Sequence, residues 1–200
     1  MRVTCKKCRR LGVSVCGREK CALKRKPYPP GEHGKSFRRG GSEYGLQLKE
    51  KQKVKFLYGL RERQFKNYAA SAASQHKVPA GEALVLSLES RLDNIVYKLG
   101  FAPTRASARQ MVNHGHVGVN GRRVNIPSCQ VKVEDTIELR KESRPKGLFA
   151  NLELTIKKYN PPEWLELNKS EFRGKMISSP STSELAKSYN INAIVEYYSR

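Results

Sequence analysis

The chain has 200 residues, with 39 lysines and arginines against 18 acidic residues and a formal net charge of +21. This length allows one or two domains, and this charge indicates a polyanionic partner, with nucleic acid favoured over an acidic membrane surface. A charge that serves only solubility is the alternative. No apolar run reaches the roughly 18 residues of a spanning helix. The first residues lack the apolar core of a signal peptide, so we expect a cytoplasmic compartment, with an organelle interior left open.

The first 40 residues hold 13 lysines and arginines against two acids, Glu19 and Glu32. Few of their side chains are large and apolar, so hydrophobic burial alone cannot fold this segment. We therefore expect a metal ion or the binding partner to hold it together. We assign residues 1–41 to a zinc knuckle followed by a basic extended loop.

Four of the five cysteines lie in this segment with the spacing C-x2-C-x7-C-x4-C. Two such closely spaced pairs predict a tetrahedral site for one structural zinc ion. An iron–sulfur cluster stays open, and free thiols or disulfides are further alternatives, although disulfides do not suit a reducing compartment. Four protein ligands leave no open position for catalysis. We interpret Cys129 as a packing residue and His33 as a weak alternative ligand, and the predicted ligands are Cys5, Cys8, Cys16 and Cys21.

Basic residues surround the cysteines and continue into the segment that follows. Residues 27–34 contain three prolines and two glycines, which excludes a helix and predicts an extended path. A flexible basic loop after them suits the phosphates of a nucleic acid, and the alternative is a solvated linker. The predicted RNA contacts of this region are Lys6, Lys7, Arg9, Arg10, Lys24, Arg25, Lys35, Arg38 and Arg39.

Two amphipathic helices are predicted between residues 43 and 75, interrupted at Gly59. Their apolar positions predict one buried face, and the lysines and arginines between them predict a cationic face that can bind RNA. Pro79 and Gly81 mark a break, so residues 42–88 form the helical part of a first domain. The RNA contacts predicted here are Lys49, Lys53, Lys55, Arg61 and Arg63.

Between residues 81 and 140 the periodicity changes from helical to alternating. Apolar residues from Leu88 to Leu99 predict one helix that ends at Gly100, and Thr104 is a candidate N-cap for a second helix over 105–114. The Asn120-Gly121 pair predicts a β-hairpin. Residues 131–139 then predict a second strand pair around a turn at 134–135.

The basic residues of this unit gather around the second helix and the hairpin. A helix beside a hairpin offers a convex cationic edge for phosphates and 2′-hydroxyls. A local salt bridge or cap with Asp93 is an equally favoured reading of Arg91. The two histidines lack a metal set or a carboxylate partner, which argues against catalysis. The predicted RNA contacts are Arg91, Lys98, Arg105, Arg109, His114, His116, Arg122 and Arg123.

Three segments of this unit resemble a known RNA-binding module: ESRLDNIVYKLGF (89–101), TRASARQ (104–110) and HGHVGVNGRRVNIP (114–127). The module takes its name from the small-subunit ribosomal protein four family, and some RNA-modifying enzymes and synthetases also carry it.

The flanking segments extend the resemblance to the family itself, over essentially the whole chain. They are RKPYPPGEHG (25–34), EYGLQLKEKQ (43–52), YGLRERQF (58–65) and IVEYYSR (194–200). The cysteines match the zinc-carrying bacterial or organellar branch. The resemblance implies an α+β fold with an N-terminal zinc knuckle and helical domain. It also implies an inserted domain over 89–177, with the module at about 89–145, and a C-terminal segment, 178–200, that returns to the first domain.

The family resemblance also implies a function without catalysis. The chain would be a structural constituent of the small ribosomal subunit and a primary binder of a multi-helix junction in the 5′ domain of its RNA, where it nucleates assembly. It would lie near the messenger RNA entry channel, contact neighbouring ribosomal proteins, affect decoding accuracy and repress its own translation. No membrane or small-molecule partner is expected. The rivals are an RNA-modifying enzyme and a zinc-containing DNA-binding regulator.

Overall fold

The computed structural model describes residues 3–36, 41–75, 78–144, 149, 152–180 and 188–199. The chain forms two compact units, residues 1–85 with 182–200 and residues 86–181. Helices build the first unit, while the second combines helices with an antiparallel sheet. The α+β class predicted from the sequence is therefore confirmed. No helix in the described ranges is both long enough and apolar enough to cross a membrane.

The first unit begins with two short helices, α1 (Cys5–Leu11) and α2 (Ala22–Arg25). Helix α1 ends at Gly12, whose φ of 73° is the left-handed conformation that glycine adopts without a Cβ clash. A small apolar cluster of Cys8, Leu11, Val15 and Cys21 lies between them. Because the cluster is so small, burial contributes little to the stability of this segment.

The longer helices of the first unit confirm the two predicted over 43–75. Helix α3 (Glu43–Leu57) starts at Ser42, whose hydroxyl accepts a hydrogen bond from the Gly45 N–H at 3.2 Å. Helix α4 (Glu62–Ala73) follows, and the C-terminal helix, α9 (Ile191–Ser199), packs against both. Their shared apolar side chains include Val54, Leu60, Phe65 and Ile194, all fully buried.

One carboxylate joins these three helices. Glu62 accepts hydrogen bonds at 2.6 Å from both Lys51 and Lys55 of α3, and at 2.8 Å from the Tyr198 hydroxyl of α9. Burial alone would raise the pKa of Glu62, but these three donors stabilise the carboxylate and lower the pKa to about 2. The ammonium of Lys51 also lies 4.5 Å from the centre of the Tyr197 ring.

The single helix predicted up to Gly100 is wrong, because the chain forms two helices there. Helix α5 (Ala80–Glu89) and helix α6 (Leu92–Lys98) are separated at Arg91, which is extended, with φ −66° and ψ 135°. The Leu92 N–H donates to the Cys129 carbonyl and the Val131 N–H donates to the Ser90 carbonyl, both at 2.9 Å. These tertiary hydrogen bonds replace the helical ones at the break.

The sheet of the second unit has five antiparallel strands in the order β2-β1-β3-β5-β4. They are β1 (Val117–Val119), β2 (Arg122–Arg123), β3 (Thr136–Leu139), β4 (Leu165–Asn168) and β5 (Arg173–Met176).

The turn between β1 and β2 contains Asn120, with φ 50°, and Gly121, with φ 76°. Positive φ values at both positions are typical of the Asn-Gly turns that close hairpins. The second strand pair predicted over 131–139 is wrong: β3 pairs with β1 and β5, and residues 131–133 form no strand. Instead, the Asp135 carboxylate accepts a hydrogen bond from the Lys132 N–H at 2.7 Å, which closes a turn there.

Helix α7 (Arg105–Asn113) and helix α6 pack on the buried face of the sheet. Thr104 caps α7 as predicted, because its hydroxyl accepts a hydrogen bond from the Ser107 N–H at 3.2 Å. Leu99 sits so close to the sheet that a Cβ on Gly174 would lie 2.5 Å from both of its methyl groups. The short helix α8 (Leu152–Lys157) and Trp164 complete this core.

Candidate nucleic-acid interface and metal centre

Three cysteine thiols of the first unit converge on one point. Cys5 lies at the start of α1, Cys16 in the loop that follows, and Cys21 at the N-cap of α2. Their sulfur atoms all lie within 4.8 Å of one another. Sulfur atoms around a tetrahedral zinc lie about 3.8 Å apart at the usual bond length, so this donor set fits a thiophilic metal ion. The three thiols can therefore hold a metal.

Cys8 lies outside that group of three but contacts it. Its thiol is fully buried, packs in the same small cluster as the other three cysteines and donates to the Thr4 carbonyl at 4.0 Å. Burial is the main cause that raises the pKa of Cys8, to about 12. Burial acts in the same direction on Cys21, but the Leu23 N–H and the neighbouring side chains of Ser14, Cys16 and Cys8 lower its pKa to about 7. Of these two thiols, Cys21 therefore ionises more easily than Cys8.

The predicted RNA contacts of the first unit fall into two groups. Arg9 donates to the carbonyls of Tyr28 and Pro29 at 2.9 and 3.1 Å. Lys53 and Lys55 pair with Glu50 and Glu62. Lys7 lies 4.2 Å from the centre of the Phe56 ring. The side chains exposed to solvent are Lys6, Arg10, Lys24, Arg25, Lys35, Lys49, Arg61 and Arg63, whereas Arg38 and Arg39 lie outside the described residues.

In the second unit, Arg91 forms the salt bridge with Asp93 that was one of the two alternatives for this residue. Its guanidinium donates twice to Asp93 at 3.1 Å, and its side chain is 2% exposed. Arg109 donates to the same carboxylate at 2.8 and 2.5 Å. Arg91 cannot reach a phosphate without breaking a buried ion pair, so we leave it out of the candidate interface.

Other predicted contacts of this unit also have internal partners. Arg105 donates to the Asn94 side chain at 2.8 Å and lies 4.5 Å from the centre of the Tyr97 ring. The buried His116 ring is 3.0 Å from the Ser143 hydroxyl, so His116 has a packing role here. The side chains exposed to solvent are His114, Arg122 and Arg123, and Lys98 is half-buried.

Sequence reasoning missed the basic residues that follow β3. Arg140 donates to the Gly115 carbonyl at 3.3 Å, which brings it to the end of α7. Arg144 donates to the Leu139 and Glu171 carbonyls and lies 5.3 Å from the centre of the Phe172 ring. No local pattern marks either residue, because the pairing of β3 with β1 is what places Arg140 beside the hairpin.

The family models match the two parts of this chain separately. Residues 2–89 match the model described as the ribosomal protein S4/S9 N-terminal domain, and residues 90–137 match the S4 domain. The chain is thus a ribosomal protein that carries an S4 domain.

Curated relatives narrow this class. The chain is 43% identical to the small ribosomal subunit protein uS4 of Syntrophomonas wolfei over 98% of this chain and 96% of the relative. It is 47% identical to uS4 of Chloroflexus aurantiacus over 96% and 94%, and 46% identical to uS4 of Caldicellulosiruptor bescii over 98% and 96%. The chain belongs to the uS4 family of small ribosomal subunit proteins. It is a structural constituent of the ribosome and not an enzyme, as the sequence predicted.

Proposed function

We propose that the chain is a primary binder of small-subunit ribosomal RNA, which recognises a multi-helix junction in the 5′ domain and nucleates assembly of the subunit. The observation that supports this most strongly is the division of the cations into paired and exposed groups. Carboxylates or carbonyls of the chain engage Arg9, Lys55, Arg91 and Arg109, while eleven other predicted contacts have exposed side chains. Exposed cations on a chain of charge +21 remain available for phosphates.

The interface we propose includes side chains from both units, each with its own surface. In the first unit it comprises the exposed cations of the knuckle and of helices α3 and α4. In the second unit it comprises the end of α7 and the β1–β2 hairpin, with His114, Arg122 and Arg123. A helix end beside a hairpin reads RNA by shape and backbone rather than by base edges. We also propose that the inserted domain spans 89–177 and that residues 178–200 return to the first domain.

We propose that the knuckle binds one zinc ion through Cys5, Cys8, Cys16 and Cys21. Three of these thiols already lie close together, and Cys8 is buried in the same small cluster. A bound ion would neutralise thiolates within a cationic segment and stabilise a part of the chain that has a very small apolar cluster. The ion would have a structural role, because four protein ligands leave no open coordination position.

Further aspects of the family role belong to the same proposal. Lys35, with Arg38 and Arg39, would contact messenger RNA at the entry channel of the subunit. Contacts with neighbouring ribosomal proteins would influence decoding accuracy, and the free protein would repress translation of its own messenger. With this role, the protein would be found on ribosomes, in the cytoplasm or in the interior of an organelle.

A competition assay tests RNA recognition directly. Labelled 5′-domain ribosomal RNA would compete with an unrelated folded RNA and with duplex DNA at moderately high salt. If six to ten phosphates are neutralised, affinity should fall by roughly 10³–10⁵ between 50 and 200 mM salt, by analogy with DNA. Equal binding to all three nucleic acids would contradict specific recognition.

Neighbouring arginines provide a matched pair of variants for that assay. Arg10→Ala removes an exposed cation and should weaken binding, with a smaller salt dependence, while the protein keeps its protease resistance. Arg9→Ala removes the hydrogen bonds to Tyr28 and Pro29, so it should expose residues 27–36 to proteolysis. Identical behaviour of the two variants would contradict the division into exposed and paired cations.

A further inference from the structure

Two arginines of the second unit meet at Gly115, directly after helix α7. Gly115 has φ 70°, in the left-handed region. The Arg123 guanidinium, carried by β2, packs against this glycine: an added Cβ would lie 2.7 Å from Cζ and 2.5 Å from Nη2 of Arg123. Real Cβ atoms do not approach other atoms so closely. Any side chain at this position would therefore displace Arg123 from its present place.

Arg140 reaches the same glycine from the end of β3. Its Nη1 donates to the Gly115 carbonyl at 3.3 Å, and its backbone N–H donates to the His116 carbonyl at 3.0 Å. The backbone bond continues the pairing of β1 with β3, so the base of the Arg140 side chain has a fixed position. Two guanidinium groups thus contact one residue from two different strands.

The two guanidiniums differ in their hydrogen-bond and ion-pair partners. Arg123 is an exposed residue, and within the described part of the chain its guanidinium has no hydrogen-bond or ion-pair partner. Arg140 forms an ion pair with Glu142, whose side chain is 76% exposed. Glu138 of β3 accepts a hydrogen bond from Arg173 at 3.3 Å. An anion arriving at Gly115 would therefore find one free guanidinium and one held by a solvated carboxylate.

We propose that Arg123 and Arg140, packed against Gly115, form a binding site for one phosphate of the RNA backbone. Planar guanidiniums bind phosphate oxygens with two parallel hydrogen bonds, which suits a site with two such groups. Gly115 is a positioning residue, because its missing side chain leaves the space that Arg123 occupies. Glu142 holds Arg140 until the phosphate replaces it. This inference rests on the proposed RNA-binding function and names one contact within it.

The first test compares alanine variants of the two arginines in the intact protein, with labelled 5′-domain ribosomal RNA. Arg123→Ala and Arg140→Ala should each weaken binding about tenfold. Lys132→Ala, which removes the same charge at the opposite end of β3, should change affinity less than about twofold. Unchanged affinity in both arginine variants would overturn the site.

The salt dependence shows whether both arginines bind the same phosphate. The logarithmic salt slope should stay unchanged in each single variant and fall by about one in the double variant, because one cation still neutralises the phosphate until both are removed. A slope that falls by about one in each single variant and by about two in the double variant would mean two separate phosphates and would overturn the proposal.

A second test isolates the role of Gly115. Gly115→Ala should weaken binding about tenfold in the natural background and have no further effect when Arg123 and Arg140 are both alanine. Gly12→Ala is the matched control, because Gly12 also follows a helix with a left-handed φ, 73°, but nothing lies within 4 Å of its added Cβ. An equal loss in the two glycine variants would overturn the positioning role and point to turn strain.

The remaining variant should increase affinity. Glu142→Gln frees Arg140, so binding should strengthen by a few-fold, and weaker binding would contradict the exchange of Glu142 for phosphate. The fluorescence of Trp164, buried in this unit, verifies that each variant is folded. If the natural chain shows no preference for ribosomal RNA, the proposed function fails. If the natural chain keeps that preference and the arginine variants bind ribosomal RNA as tightly as it does, only this site fails and the proposed function stands.

Discussion

The most exacting test of the second unit is to neutralise its buried carboxylate, Asp93. Asp93 accepts four hydrogen bonds, two from the buried Arg91 and two from Arg109, whose side chain is 21% exposed. In Asp93→Asn the amide has about the same size but carries no charge. Arg109 can turn towards water, whereas Arg91 stays buried and loses its ion pair with Asp93.

Removing one partner of a buried ion pair costs about 3–5 kcal/mol. Because the asparagine oxygen still accepts one hydrogen bond, we expect a loss of about 3 kcal/mol in the free energy of unfolding of the second unit. With a urea dependence of about 1.5 kcal/mol per molar for a unit of this size, the urea midpoint should fall by roughly 2 M.

Tryptophan fluorescence follows the unfolding of the second unit within the intact chain. The chain has a single tryptophan, Trp164, which is 4% exposed in the core of this unit. Arg91→Met combined with Asp93→Asn should be no less stable than Asp93→Asn alone, because the buried charge is then gone. Glu142→Gln, which breaks an exposed pair, should shift the midpoint by less than about 0.5 M. A similarly small shift for Asp93→Asn would refute the reasoning.

Three further outcomes are expected. The folded pKa of Glu62 lies below its unfolded value, so the contribution of Glu62 to stability is complete above about pH 4.5 and is lost as the pH falls towards about 2. Glu62→Gln should therefore flatten the acid-unfolding curve over this interval, as followed by circular dichroism. Gly174→Ala should destabilise the second unit by about 1–3 kcal/mol in urea, because its methyl group would overlap Leu99. Cys5→Ser should lower zinc content measured by mass spectrometry, whereas Cys129→Ser should retain it.

Gly118→Ala is the control for Gly174→Ala. Gly118→Ala adds a methyl group whose nearest neighbours lie 3.3–3.6 Å away, so it should cost less than Gly174→Ala. An acid-unfolding curve that is the same with and without the Glu62 carboxylate would contradict a stabilising role for its contacts with the two lysines and Tyr198. Unchanged zinc in Cys5→Ser, or loss of zinc in Cys129→Ser, would contradict the proposed ligands.

Local rules predicted a large part of the helical structure and the hairpin. The break at Gly59, the Thr104 cap and the Asn120-Gly121 turn each act over a few residues, so a single sequence contains the information needed to identify them. The cysteine spacing likewise indicated convergent thiols, and three of them do converge. The zinc ion, the domain boundaries at 89 and 178, and the RNA contacts stay predictions.

Features set by tertiary contacts were missed. The apolar period runs through Arg91 without interruption, but hydrogen bonds from a segment about forty residues further along the chain break the helix there. Strand β5 was not predicted, because Gly174 and the charged residues around it carry no strand signal. Strand β4 was also missed, although its two leucines alternate with polar residues. Gly174 is instead explained by Leu99, which follows α6 and packs against it.

The same dependence on tertiary partners decides which cations can bind RNA. Sequence alone counts every lysine and arginine equally, but Asp93 and Glu62 each hold two of them inside a unit. Because those cations are paired, replacing either acid should lower stability without removing a phosphate contact. Replacing an exposed cation such as Arg10 should do the reverse. Stability and RNA affinity are therefore separable by mutation, and the burial of each charge determines which of the two it affects.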